Sequence, residues 1–345
     1  MKNKPKLKIF LNILLMAVMI GVVFYVVDNS LSDIIAQLAK TSIVVAAMVV
    51  ILGVVYQFVE GQSIQEIVKS FQPKFTMTDG FFASCYVAFY RVVSFGTGTL
   101  VSEVLFYRKK GLAVSQGMGV TALHMIMYKL AVVFWAVLGL VTQFGELYES
   151  SPKMIPFILA GMIITFLIIF AILALSVSIR LQVMLTVWAD KILKKQKLRD
   201  WVDTCNLQIY SLRDTVQAII KDRSALLRIL LWNIAKVFVW LLIPYVALVE
   251  QHSAIDLLQV LSFTSFSIVL AGVIPTPAGI GSFEFVYLLL FKPLVGTVDA
   301  VSSLLLYRFS SFVLPFLIGL VYVMQMKRKE IKAEIIAVRE EDSVD

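Results

Sequence analysis

The chain has 345 residues, enough for two soluble domains at roughly 150 residues each, yet it is 59% hydrophobic and only 16% charged, with a mean hydropathy of +0.88. Those figures exclude a secreted or cytosolic enzyme and point to an all-α, polytopic membrane protein. The net charge of +8 does not indicate nucleic acid, because the basic residues lie beside apolar runs rather than on a polar face with interleaved aromatics.

In chain order, residues 1–8 are basic and residues 9–27 apolar, as in a signal peptide. The run is too long and no small-x-small cleavage site follows, so a retained first helix is expected. Residues 43–59 read as a second span. The next apolar region, 81–106, contains Arg91 and the flexible run Ser94-Phe95-Gly96-Thr97-Gly98-Thr99. If it crosses once, Arg108, Lys109, Lys110 and the ten Lys/Arg between 180 and 228 fall outside and the acidic connection 145–151 falls inside. Lys and Arg of short loops collect in the cytoplasm. A re-entrant hairpin of two half-helices repairs every loop at once, with the N-terminus and residues 62–79, 108–110, 180–228 and 327–329 cytoplasmic.

Spans over 118–141, 154–177 and 229–249 follow. A second irregular region, 255–294, is interrupted by Ile274-Pro275-Thr276-Pro277-Ala278-Gly279-Ile280-Gly281, which cannot continue a helix because proline lacks a donor and clashes with the preceding turn. It is expected to be a hairpin entering from the opposite side, before a last helix over about 298–326. Gly98-x4-Glu103 is matched by Gly279-x4-Glu284, each after a Gly/Pro/Thr cluster and before a half-helix rich in Phe and Tyr. Six crossings, two oppositely oriented hairpins and an inverted repeat are the expected architecture; in transporters such broken helices build the substrate site near the midplane. Residues 1–326 form the membrane domain, 180–228 a cytoplasmic amphipathic basic connector, and 327–345 a cytoplasmic tail.

Ionisable groups inside spans cost roughly 2.5–3.5 kcal/mol on the insertion scale and usually face a partner or a water-filled cavity. Arg91 and Arg308 lie deep in their segments, and their guanidinium forks suit bidentate phosphate contact; an ion pair with Glu103 or Glu284 is the structural alternative. Glu284 alternatively caps a half-helix starting near Gly281. Lys236 is expected to snorkel to the interface, as is Lys129 in one reading. His124 and His252 lack the companions that a metal site or catalytic triad needs. Cys85 and Cys205 match no disulfide, redox or zinc spacing; no cofactor is implied, and no Walker motif appears. In the connector, Lys191, Lys194, Lys195, Lys197 and Arg199 are placed to contact anionic headgroups.

Arg91 with its Gly-Thr-Gly break and Glu103 to Arg108, the 210–232 connector, Pro275-x-Pro-Ala-Gly-Ile-Gly-Ser-Phe-Glu284, and Arg308 with Pro315 and Gly319 resemble the integral-membrane, flippase-like region of bacterial lysylphosphatidylglycerol synthetase/flippases and their stand-alone relatives. The resemblance covers nearly the whole chain. It implies movement of aminoacylated phosphatidylglycerol, or of glycolipid or related lipids, between leaflets of a bacterial plasma membrane, with both termini cytoplasmic. The soluble aminoacyltransferase domain is missing, so synthesis of lysyl-lipid is not expected, and His124-Met-Ile-Met-Tyr-Lys129 stands where the family carries an acidic and basic cluster. The leading expectation is a non-enzymatic lipid flippase or scramblase whose substrate meets Arg91, Gly98, Glu103, Gly279, Gly281, Glu284 and Arg308. A scaffold for a lipid-modifying enzyme and a proton-coupled solute transporter are the alternatives. Membrane phospholipid is the expected partner, nucleic acid is not, and a homo-oligomer stays open.

Overall fold

A computed structural model describes residues 41–94, 96, 98–177, 222–274 and 281–344, with scattered positions between 180 and 219. The expected first helix, the basic cluster Lys191 to Arg199, and Gly279 lie outside the described residues. Among the described residues, ten α-helices carry the fold: α1 (Ile43–Val68), α2 (Met77–Val93), α3 (Thr99–Lys109), α4 (Val114–Thr142), α5 (Phe144–Ser150), α6 (Ile155–Val177), α7 (Arg223–Val249), α8 (Leu257–Ala271), α9 (Ser282–Arg308) and α10 (Leu314–Val344). Among the described residues five helical stretches are long and apolar enough to cross a membrane: α1, α4, Pro152–Ala174, α7 and Ser282–Ala333. On α6, Phe157, Phe166 and Phe170 are each more than half exposed, as side chains facing lipid would be.

The apolar region at 81–106 is a hairpin. Helix α2 begins at a capping box in which Thr76 Oγ1 accepts from the Asp79 amide at 3.2 Å while the Asp79 carboxylate accepts from the Thr76 amide at 2.9 Å, so two orphan donors of the first turn are satisfied. It ends where the Gly96 amide donates to Arg91 O at 2.8 Å. Gly96 sits at φ 88°, a left-handed conformation that glycine adopts without steric cost. The chain then returns as α3, and its two ends meet: Lys110 Nζ lies 2.6 Å from Asp79 Oδ1, and Gln72 Nε2 donates to Lys110 O at 3.1 Å. A second hairpin joins α8 to the first arm of α9, which kinks at Gly296 (φ 80°, ψ 170°). His252 Nε2 and Asp299 Oδ2, 2.8 Å apart, hold its ends together. The second arm of α9 passes through a π turn (Phe309–Val313) into α10, which runs on to Val344 rather than ending near 326.

The two halves repeat each other at a fixed interval. Ser42 caps α1 by accepting from the Val45 amide, and Asp222, 180 residues later (222 − 42), caps α7 by accepting from the Ala225 amide. The turn after α1, in which the Phe71 and Gln72 amides donate to Val68 O and Phe75 to Gln72 O, recurs 180 residues on with Gln251 and His252 donating to Leu248 O and Ile255 to His252 O. Thr76 capping α2 is matched by Asp256 (256 − 76 = 180) capping α8.

The halves are inverted. Ser42 Oγ at the start of α1 donates to Glu250 just past the end of α7, while Glu66 near the end of α1 accepts from Arg228 at the start of α7. Helix α2 packs on α10, and its counterpart α8 packs on α4, the reciprocal contact pattern of a two-fold axis. Glycines let these helices approach: Gly80 lies against the Gly61 carbonyl, and Gly319 against the Cys85 carbonyl. The apolar core divides into two clusters, one around each hairpin.

Candidate functional site

Helical spacing gathers polar groups where the two halves meet. On α1, Tyr56, Gln57 and Glu60 share a face; α4 presents Thr121, His124 and Tyr128; α7 presents Lys236 and Trp240; α3 presents Glu103 and Tyr107. With Arg91 from the last turn of α2, these side chains line a cavity of about 300 Å³, at the lower end of the range for small-molecule sites.

Lys236, only 1% exposed, ion-pairs with Glu60 Oε2 at 2.6 Å and lies 3.0 Å from His124 Nε2, with its ammonium 5.1 Å from the Tyr128 ring centroid. An ammonium only donates, so the tautomer that satisfies this contact accepts at Nε2 and carries its proton on Nδ1. Nδ1 points toward Glu103 Oε1 at 3.6 Å, an oxygen that also accepts from Tyr107 OH at 2.9 Å. Nε2 also lies 3.3 Å from Glu60 Oε1, so each ring nitrogen faces a carboxylate, and Lys236 stands against both Glu60 and His124.

The charge balance around the cavity is uneven. Glu60 and Lys236 cancel. The Arg91 guanidinium makes no hydrogen bond or ion pair among the described residues, and Glu103 Oε2 likewise accepts none, although the side chain is buried. The Arg91 guanidinium and Glu103 Oε2 thus line the same space without a fixed partner among the described residues.

The sequence-derived residues separate into two groups. Arg91, Glu103 and the Gly98 that begins α3 belong to the cavity region, where the Gly98 amide donates to Ser94 Oγ at 2.8 Å. Gly281, Glu284 and Arg308 gather at the second break instead: Arg308 Nη2 pairs with Glu284 Oε1 at 2.5 Å, Glu284 Oε2 accepts from the Gly281 amide at 2.7 Å, and the guanidinium stands 5.1 Å from the Phe283 centroid. A ring stack joins the two groups, from Tyr56 to Trp240 at 5.4 Å, Trp240 to Tyr307 at 5.9 Å and Tyr307 to Phe283 at 4.8 Å.

Three expectations need correction. Lys236 does not snorkel; its ammonium is sequestered by Glu60. His124 is not isolated, because α1, α3 and α7 each bring an ionisable partner to it. Glu60 was missed altogether, because the span ending at 59 stops one residue short of it while α1 continues to Val68. Gln57, Glu60, Ser63 and Glu66, all buried, recur at helical spacing and were the available signal. Lys129 reaches the end of α8, where an added Cβ on Gly272 would lie 2.7 Å from its Nζ.

The two-fold relation explains why the site is one-sided. Tyr56 corresponds to Lys236 (236 − 56 = 180), and Glu60 to Trp240 (240 − 60 = 180), so the Glu60–Lys236 ion pair and the Tyr56–Trp240 ring pair occupy equivalent places. Each repeat supplies one member of each pair, so one side of the axis carries charge and the other carries aromatic rings.

An inverted-repeat helical membrane protein with a charged cavity lined by both halves is the class these features define. The chain belongs to the family described as the lysylphosphatidylglycerol synthase TM region, which it matches over residues 9–319. That membership places it among membrane proteins of lipid metabolism or transport. No curated protein matches the chain.

Proposed function

We propose that the protein transfers a phospholipid headgroup between leaflets, the headgroup passing through the cavity while the acyl chains remain in lipid. The observation that carries this reading is Arg91: a guanidinium facing the cavity with no protein partner among the described residues. A fixed, uncompensated cation in a low-dielectric setting is expensive unless an anion or water arrives to meet it, and a guanidinium fork matches a phosphate in two contacts. The inverted repeat supplies two faces of opposite orientation around one site, the arrangement that alternating access uses. In this reading the hairpins are re-entrant, both termini are cytoplasmic, the membrane is a bacterial plasma membrane, and the cargo is aminoacylated phosphatidylglycerol or a related lipid. The protein moves its substrate without covalent chemistry.

The test is leaflet transfer in proteoliposomes with phosphatidylglycerol, its lysyl ester and a neutral glycolipid, all labelled on an acyl chain. Transfer should depend on the phosphate and fall about tenfold or more in Arg91→Ala, the worth of one charge-assisted contact. Wild-type transfer rates in the folded variant would refute the role of Arg91.

A further inference from the structure

The cavity states more about its cargo than the presence of a phosphate. Its buried basic side chain, Lys236, is consumed by Glu60, and its histidine is held between two carboxylates, Nε2 3.3 Å from Glu60 Oε1 and Nδ1 3.6 Å from Glu103 Oε1. What remains is one guanidinium, Arg91, and one carboxylate, Glu103, whose Oε1 is already taken by Tyr107 and faced by His124 while Oε2 accepts nothing among the described residues. Glu103 is only 9% exposed, so an ionised carboxylate there pays a desolvation cost that a visiting cation would relieve. A headgroup that is purely anionic leaves that carboxylate unmet and brings its own negative charge toward it. One with two ammonium groups satisfies Glu103 with the first and must place the second beside the Lys236 ammonium or the Arg91 guanidinium.

Resting on the transport reading above, we infer that the site selects a zwitterionic headgroup with one phosphate and one primary ammonium, the phosphate on Arg91 and the ammonium on Glu103 Oε2. The size of the cavity, about 300 Å³, supports the same class, since it holds a compact headgroup but not an extended oligosaccharide. Two lipid chemistries meet the description: phosphatidylethanolamine, and phosphatidylglycerol esterified with a neutral amino acid. Glu103 is then the residue that sets specificity, separate from Arg91, which sets affinity for any phosphate.

The experiment uses the full chain in proteoliposomes with four lipids carrying the same fluorescent acyl chain: phosphatidylethanolamine, alanyl-phosphatidylglycerol, lysyl-phosphatidylglycerol and phosphatidylglycerol. At least one of the two single-ammonium lipids should move about tenfold or more faster than phosphatidylglycerol and faster than the lysyl ester, and comparing the two tells which source the site takes. In Glu103→Gln that preference should collapse, with phosphatidylglycerol transfer retained or raised. Glu103→Asp, which keeps the charge, should keep the preference, so loss of folding cannot pass for loss of selectivity. If wild-type protein moves phosphatidylglycerol or the lysyl ester as fast as both single-ammonium lipids, or if Glu103→Gln leaves the ratios unchanged, the inference fails while the transport reading survives. If folded protein moves none of the four, both fall.

Discussion

Replacing Lys236 by methionine removes an ammonium that is 1% exposed and leaves the Glu60 carboxylate, whose side chain is 10% exposed, without its counter-ion at 2.6 Å. Breaking one partner out of a buried pair strands a desolvated charge and costs about 3–5 kcal/mol, whereas removing both charges with similar volume retained is often close to neutral. The Tyr128 ring under the ammonium, 5.1 Å away, adds about 0.5–2 kcal/mol that both variants lose. Lys236→Met should therefore be destabilised by about 3–5 kcal/mol, and adding Glu60→Gln should recover most of that, because a neutral amide beside His124 needs no counter-charge. Reversible unfolding in mixed micelles, with unchanged denaturant dependence in all variants, measures the four corners of the cycle. A loss below about 1 kcal/mol in Lys236→Met, or a double variant whose cost is the sum of the singles, would refute the buried-pair argument.

Two further outcomes follow from the hairpins. Gly80→Ala puts a methyl group against the Gly61 backbone, which has no flexible side chain to yield, so α2 must separate from α1 at a cost of about 1–3 kcal/mol or more; a melting temperature unchanged from wild type would show that the helices are not that close. The clasp at the base of the first hairpin is acid-sensitive: burial raises the Asp79 carboxyl, but donors from Lys110 and Thr76 outweigh it and hold the carboxyl below its usual range. A carboxylate depressed in the folded state contributes stability that is present above the ordinary carboxylate range and lost as pH falls through the lowered value. Stability followed from neutral pH downward should fall less steeply in Asp79→Asn than in wild type, and identical acid profiles would remove Asp79 from the account.

Much of the fold was legible before any coordinates. Apolar runs near the length of a bilayer place spans at 43–59, 118–141, 154–177 and 229–249, and the helices there cover 43–68, 114–142, 155–177 and 223–249. The break at 94–99 and the turn into the second hairpin follow from glycine and proline acting locally, and Gly98 and Glu103 matched against Gly279 and Glu284 already hinted at the repeat. The 180-residue interval showed itself in the hydrogen bonds of caps and turns instead, since Ser42 and Asp222, or Gln72 and His252, do the same work with different side chains.

The site was less legible, and Lys236 shows why. On a linear sequence it is a lysine near a helix end with a stem long enough to reach water; its fate depends on Glu60, 176 residues away (236 − 60), which only the antiparallel packing of α1 on α7 brings within 2.6 Å. Arg308 shows the converse: the sequence leaves open whether it meets a phosphate or Glu284, and the second break brings Glu284 to it. Arg91 was identifiable as a costly charge, but that it faces a cavity without a counter-ion among the described residues is a property of all the helices that line it at once. The sequence by itself determined that this is a helical membrane protein and where its helices break, because hydrophobic length and backbone chemistry are local. Which charges cancel and which stay available to a ligand was decided only by the tertiary structure, because ion pairing falls off within a few ångströms and depends on helices remote in the chain.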